Sequence, residues 1–289
     1  MDYEGQICRA PMERSSFMLP VMVGCSYNKC RFCMLFKHLK YRELPLEQIE
    51  QELQRVAKIN GNPKTVFLGD GNAFCLTTEQ LLQILDLVHQ YFPACQEINM
   101  DATVTSIAEK STEQLRALRE AKVHRLYLGI ESGLDDVLAF MQKDHTIAQA
   151  YQQIARIQEL GFIYDAHMMT GIAGHGRGQE NAEQLAAFFN RTQPGRIINF
   201  SLFLHRSSPL YRDIQKGTFT PADELENLQE ERRLLELLEL KHTEYDGFHD
   251  FIEFRVRGTL PEDKAKMLTS LDKAIEAQEG KEALFSYIA

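Results

Sequence analysis

No stretch of this chain approaches the ~18 consecutive apolar residues that a membrane-spanning helix needs. The N-terminal MDYEGQICRAPMERSS is polar and lacks the apolar core of a secretory signal. There is no extended run of Lys and Arg, and the formal net charge is −9. Both features disfavour nucleic acid as a partner, because phosphate is met by clustered positive charge. No G-x-G-x-x-G follows the first strand-like run, which argues against a dinucleotide-binding fold. Internal repeats and low-complexity tracts are also missing. The expectation is a cytoplasmic protein with no membrane partner. Its 289 residues, 44% of them apolar, suffice for a large buried core.

What is present is an alternation of strand-like and helix-like runs. FMLPVMV (17–23), TVFLG (65–69), EINM (97–100), HRLYLGI (124–130), FIYDAHMMTG (162–171) and RIINFSLFLH (196–205) read as strands. After Pro45, the segment LEQIEQELQRVAKI carries Leu46, Ile49, Leu53, Val56 and Ile59 at helical spacing. Thr77 with Gln80, and Ser111 with Gln114, mark helix starts at capping-box spacing, predicting helices over about 78–92 and 112–121. A further helix is expected to run from the fourth strand to Gly161, a C′ glycine, and another over 179–191. Six β-then-α units predict a parallel sheet with crossover helices. Six are too few for a closed eight-fold barrel. The expected fold is therefore α/β, a partial (β/α)6 TIM-like barrel over 17–215, preceded by a lead-in over 1–16. A short C-terminal helix–strand–helix extension over 216–289 is expected to pack on it. The extension comprises a helix of about 20 residues after Pro221, the strand DFIEFRV (250–256) and a helix from Pro261.

Three of the six cysteines are crowded into GCSYNKCRFC (24–33), with Cys25, Cys30 and Cys33 at spacing C-x4-C-x2-C. In a reducing compartment, clustered thiols point to metal or catalysis and not to disulfides. Cys8, Cys75 and Cys95 lie apart and read as small buried hydrophobes. With His38 the trio could form a Cys3His zinc site. It could equally bind three irons of a [4Fe–4S] cluster and leave the fourth open to a small molecule. A nucleophilic cysteine would use one thiol and leave two unexplained.

The stretch resembles the cluster-binding loop of radical S-adenosylmethionine enzymes, the radical SAM superfamily, which follows the first strand of a partial barrel. The usual family spacing is C-x3-C-x2-C; this chain has one residue more, as in an unusual subgroup. Further positions agree in order at successive strand ends. Gly69-Asp70-Gly71-Asn72 resembles the family's Gly-Gly-Glu motif. GIESG (129–133) is close to the pattern of the Elongator, methylthiotransferase and coproporphyrinogen-oxidase-like branch. GIAGHGRG (171–178) resembles its glycine-rich segment, where backbone approaches a ligand closely. The resemblance spans about 17–215 and is that of a small stand-alone member.

The resemblance implies a [4Fe–4S] cluster ligated by Cys25, Cys30 and Cys33, with S-adenosylmethionine chelating the open iron. Phe32 would lie near the adenine. Gly69, Asp70 and Gly71 would bind the methionine amino group. Glu131 and Ser132 would hold ribose or methionine polar groups, and Gly171 and Gly174 would approach the adenine. Arg206 could pair with a carboxylate of substrate or cofactor through its planar fork. Asp101, Thr103, His167 and His205 are further polar groups expected at strand ends. The implied reaction is reductive cleavage of S-adenosylmethionine to a 5′-deoxyadenosyl radical that abstracts hydrogen from an unidentified substrate. The electron would come from a donor such as flavodoxin or ferredoxin. No second cysteine cluster follows the barrel, so an auxiliary iron–sulfur site is not expected; Leu35 stands where coproporphyrinogen-oxidase-like members carry a further cysteine, so porphyrin chemistry is not expected either. A zinc-binding cysteine module and a non-catalytic iron–sulfur protein for electron transfer or redox sensing remain as alternatives.

Overall fold

The computed structural model describes residues 8–288. The first seven residues of the expected lead-in lie outside the described residues. The fold class is α/β, built on a largely parallel sheet of eight strands. The chain divides into two compact units. One comprises the chain up to Asn28 with Leu35–Leu128 and Gln152–Tyr164; the other comprises Lys29–Met34, Gly129–Tyr151 and the chain from Asp165 onward.

In the first unit, strands β1 (Phe17–Pro20), β2 (Thr65–Gly69), β3 (Glu97–Ala102) and the opening part of β4 (Val123–Glu131) pair in parallel in that order. Phe17 lies opposite Val66, Thr65 opposite Glu97 and Met100 opposite Leu126. From Val66 to Gly69 every residue of β2 is buried, as expected of a parallel strand covered on both faces. Helices α1 (Leu46–Ala57), α2 (Thr78–Tyr91) and α3 (Thr112–Glu120) lie between these strands in sequence. Both expected capping boxes form, Thr77 with Gln80 and Ser111 with Gln114, so at each helix start the N-cap and N3 amides are satisfied. The run 17–23 is not one strand. Pro20, which has no amide hydrogen, ends β1, and Met22–Val23 pairs antiparallel with Arg42–Glu43.

The second unit holds β5 (Ile163–Thr170) from Asp165 on, with β6 (Arg196–Ser201), β7 (Thr243–His249) and β8 (Phe254–Leu260). Strands β5, β6 and β7 pair in parallel, and β8 returns antiparallel to β7. The single strand expected at 250–256 is thus a hairpin: β7 and β8 flank a short 3-10 turn at Asp250–Ile252. The helix expected up to Gly161 is two helices, Asp135–Phe140 and α4 (Ile147–Glu159), parted by a polar turn in which Gln142 has φ +54°. Gly161 itself has φ +80°, the left-handed value a C′ residue takes. Helices α5 (Gly178–Thr192), α6 (Glu224–Leu237) and α7 (Lys264–Gln278) complete the unit.

Helix α6 buries an acidic face. Glu224, Asn227, Glu230 and Glu231 are buried beside Leu228, Leu234 and Leu235. A buried carboxylate needs partners, and the strands supply them. His249 is fully buried, its Nδ1 3.0 Å from Glu224 Oε2 and its Nε2 2.8 Å from Glu231 Oε2. Burial works against charge on this imidazole, but the flanking carboxylates outweigh it and raise its pKa to about 9. Tyr245 and Asn199 donate to the other oxygen of Glu231, at 2.8 and 2.7 Å.

Candidate functional site

In the first unit, the cysteine loop leaves β1 with Gly24 at φ +80° and Cys25 half-buried. Gly71, after β2, has φ +48°; a Cβ there would lie 2.6 Å from the Gly24 carbonyl oxygen and 2.9 Å from Cys25 Cα. Only glycine lets these two loops meet so closely. Asp70 is buried and accepts a hydrogen bond from the Cys8 amide at 3.3 Å. Burial pushes its carboxyl up to about 6, with that hydrogen bond opposing. Asn72 fastens the loop sideways: its amide donates to Ser26 Oγ (3.3 Å) and Thr103 Oγ1 (3.1 Å), and its oxygen accepts from the Thr103 amide (3.2 Å). Thr103 also caps the short helix Val104–Ala108, so its hydroxyl is structural. Asp101 is half-buried, enclosed by protein while part of it stays solvent-accessible. Burial, and then the carboxylates of Asp70 and Glu13, push its carboxyl up to about 8. Glu13 is itself buried and accepts from Tyr127 Oη (2.6 Å) and Asn99 Nδ2 (2.9 Å).

Cys95 is buried as expected, while Cys8 and Cys75 are half-buried. Cys75 is no isolated hydrophobe. Its thiol is 3.5 Å from Tyr41 Oη, and its pKa is raised by burial foremost and by neighbouring Cys25 and Glu43 in part. Fifty residues separate it from Cys25 in sequence, and no motif links them.

In the second unit, Cys30 and Cys33 are half-buried and pack against an apolar cluster that includes Phe32, Leu134, Met141, Ile172 and Leu202. Phe32 is buried within that cluster. Close to Cys30 stands a cation the sequence did not single out. Lys143 is buried, with Nζ 3.2 Å from Glu131 Oε1. Burial opposes its charge, but Glu131 and then Cys30 raise its pKa above the ordinary lysine value. Its only sequence trace is the polar turn MQKDHT that breaks the helical pattern. Glu131 sits at φ +63°, and its Oε2 is buried with no hydrogen-bond partner. A Cβ at Gly129 would strike this ion pair, 2.3 Å from Glu131 Oε1 and 2.9 Å from Lys143 Nζ. His167 is held near pKa 4 by burial and by Lys143, so its imidazole is neutral.

Ser132 is fully buried and donates to Asn181 Oδ1 at 2.7 Å. Gly171 (φ +80°) and Gly174 (φ +83°) have left-handed backbone. The space beside each is filled by the chain itself: a Cβ would lie 2.4 Å from Asn227 Oδ1 and 2.9 Å from the Thr220 carbonyl oxygen, respectively. The Gly171 amide donates to Glu230 Oε2 at 2.8 Å, and burial foremost pushes that carboxyl up to about 7. Arg206 is exposed, with its guanidinium 5.8 Å from the Tyr287 ring centroid. His205 is half-buried, and burial lowers its pKa.

The residues present suit a thiolate-bound cluster and a small polar ligand. Three cysteines stand outside any disulfide. A buried cation lies near one of them, and a buried carboxylate oxygen lacks a partner. Among the described residues no three His, Cys, Asp or Glu side chains gather closely enough to hold a single metal ion. A [4Fe–4S] cluster spreads its thiolates over separate irons and does not require that convergence.

Comparison with known proteins places these features in a family. The family model described as "Radical SAM superfamily" matches residues 19–189. Heme chaperone HemW of Bacillus subtilis is 24% identical over 232 residues, 77% of this chain and 58% of that protein. The tRNA-2-methylthio-N(6)-dimethylallyladenosine synthase of Pelodictyon phaeoclathratiforme is 25% identical over 236 residues, 79% of this chain and 50% of that protein. Among solved structures, coproporphyrinogen III oxidase (HemN) from Escherichia coli gives a TM-score of 0.62 at 17% identity, covering 76% of this chain and 52% of that one. Elp3 from Methanocaldococcus infernus gives 0.57 at 13% identity, covering 92% and 64%. The chain spans about half the length of the curated relatives it matches.

Proposed function

Because the chain belongs to the radical SAM superfamily, we propose that it is an enzyme that reductively cleaves S-adenosylmethionine and acts on a substrate by hydrogen abstraction. Its cofactors are a [4Fe–4S] cluster and S-adenosylmethionine, the pair this family uses. When bound, they supply the electron transfer and the carbon radical that no amino-acid side chain provides.

The chain's own residues hold and orient. Cys25, Cys30 and Cys33 ligate the cluster as thiolates. Lys143, buried near Cys30, balances negative charge there and orients Glu131 through its ion pair. The unpartnered Glu131 Oε2 accepts from a ribose hydroxyl or an ammonium group of S-adenosylmethionine. Gly69, Asp70 and Gly71 present backbone beside Cys25, where a side chain at position 71 would not fit. Phe32 packs as apolar surface in the cluster that Cys30 and Cys33 contact. His167, neutral through burial, can give or accept a hydrogen bond without adding a charge. Arg206 is a candidate partner for a carboxylate. The reductant is a one-electron carrier such as flavodoxin or ferredoxin, and the substrate, a small molecule or of another class, is unidentified.

The observation that carries this reading is the C-x4-C-x2-C trio immediately after β1, with none of its thiols in a disulfide, within the segment that matches the family. Anaerobic reconstitution with iron and sulfide tests it. The expected product is a brown protein with a broad band near ~400 nm and about four irons per chain. A colourless protein retaining one zinc would contradict it. A second reading, a non-catalytic iron–sulfur protein, draws on the likeness to a relative named as a heme chaperone. Such a protein would hold the cluster and leave S-adenosylmethionine intact.

A further inference from the structure

We propose that Glu230 of α6 is a positioning residue whose carboxylate fixes two loops at once: the Ser132-Gly133 turn that follows β4 and the glycine-rich loop after β5. The inference rests on the reading that these loops meet S-adenosylmethionine.

The hydrogen bonds form one continuous relay. Glu230 Oε2 accepts from the Gly171 amide at 2.8 Å, and Glu230 Oε1 accepts from Asn181 Nδ2 at 2.7 Å. Asn181 turns its oxygen the other way, accepting from Ser132 Oγ at 2.7 Å and the Gly133 amide at 3.0 Å. Ser132 Oγ accepts in turn from the Leu134 amide at 3.1 Å. Glu230 is 1% exposed, and Asn181 and Ser132 are 0% exposed, so bulk water cannot replace any of these partners.

The donor pattern requires a carboxylate at 230. That side chain faces two donors, the Gly171 amide and the Asn181 amide group, and an acid accepts from both. The loops have little room to settle elsewhere. A Cβ at Gly133 would lie 2.6 Å from the Leu185 amide nitrogen, and one at Gly171 would lie 2.4 Å from Asn227 Oδ1.

The relay is separate from the contacts that dock α6 on the sheet. Those belong to Glu224 and Glu231, through His249, Ser201, Tyr245 and Asn199. The hydrogen bonds of Glu230 go instead to the Gly171 loop and, through Asn181, to the Ser132 loop. The C-terminal extension thereby sets the geometry of the two loops.

An amide–carboxylate exchange tests this. Glu230→Gln presents one acceptor and one donor group to two donors, so it breaks the relay at Gly171 or at Asn181. In the double variant Glu230→Gln/Asn181→Asp, the new amide accepts from Gly171 and donates to the new carboxylate. That carboxylate still accepts from Ser132 and Gly133. Two readouts are compared in full-length, cluster-reconstituted protein. One is hydrogen exchange over residues 130–134 and 170–172 without S-adenosylmethionine; the other is the Kd for S-adenosylmethionine by equilibrium dialysis.

The single variant is expected to exchange faster in both segments and to bind about tenfold more weakly at unchanged iron content. The double variant should return both readouts to near wild type. Wild-type affinity in the single variant would overturn the proposal, as would faster exchange with unchanged Kd or a double variant as defective as the single. A wild-type protein that carries its cluster and binds no S-adenosylmethionine is a different result. It contradicts the family-level reading of the loops and removes this inference with it.

Discussion

Cys30 is the proposed ligand whose loss is simplest to interpret. It is half-buried and lies near Lys143, so Cys30→Ala removes a thiolate without opening a large cavity. Cys30→Ala is expected to abolish the ~400 nm band while leaving the far-UV spectrum unchanged. An intact cluster in that variant would refute the ligand assignment. Lys143 and Glu131 form a pair with side chains only 7% and 8% exposed. Lys143→Met leaves a buried carboxylate without its counter-charge and should cost about 3–5 kcal/mol of stability. Adding Glu131→Gln should recover most of that loss, a coupling that urea unfolding of the four cycle members measures. Gly71→Ala forces a methyl group to within 2.6 Å of the Gly24 carbonyl oxygen at φ +48°. It should lower both the Tm and the cluster yield, and Gly217→Ala, at φ +70° with no atom within 4 Å of its Cβ, should leave the yield unchanged.

Among the elements, α6 is notable for its buried charge: in ELENLQEERRLLEL, Glu224, Glu230 and Glu231 are all buried. The cause is the polar face it meets: Thr243, Tyr245 and His249 of β7 are all buried. The same residues hid β7 itself, since a strand whose buried positions are polar shows no apolar alternation. His249 links the two elements and makes stability depend on pH. Its folded pKa, about 9, lies above the ordinary value of 6.5. Its stabilising contribution is therefore complete below about pH 6.5 and is lost as pH rises through 9. Between those limits the urea midpoint of the wild type should fall relative to that of His249→Gln. Parallel curves for the two proteins would refute a charged His249.

At the scale of the whole molecule, six strands and their crossover helices were legible because each is an apolar run set against amphipathic segments with capping boxes. The cysteine trio was legible because its ligands are close in sequence. Lys143 and Cys75 were not, because each reaches the cysteine loop only through the fold. The hydrogen bonds and close packing of Ser132, Gly171 and Gly174 involve Asn181, Glu230, Asn227 and Thr220, residues no motif connects to them. The central claim is that this chain turns a three-thiol loop into a cluster that cleaves S-adenosylmethionine. The most direct measurement is formation of 5′-deoxyadenosine by the anaerobically reconstituted protein with S-adenosylmethionine and dithionite. The account predicts 5′-deoxyadenosine and methionine from the wild type and neither from Cys30→Ala. A wild-type protein with a full cluster that leaves S-adenosylmethionine intact would contradict it.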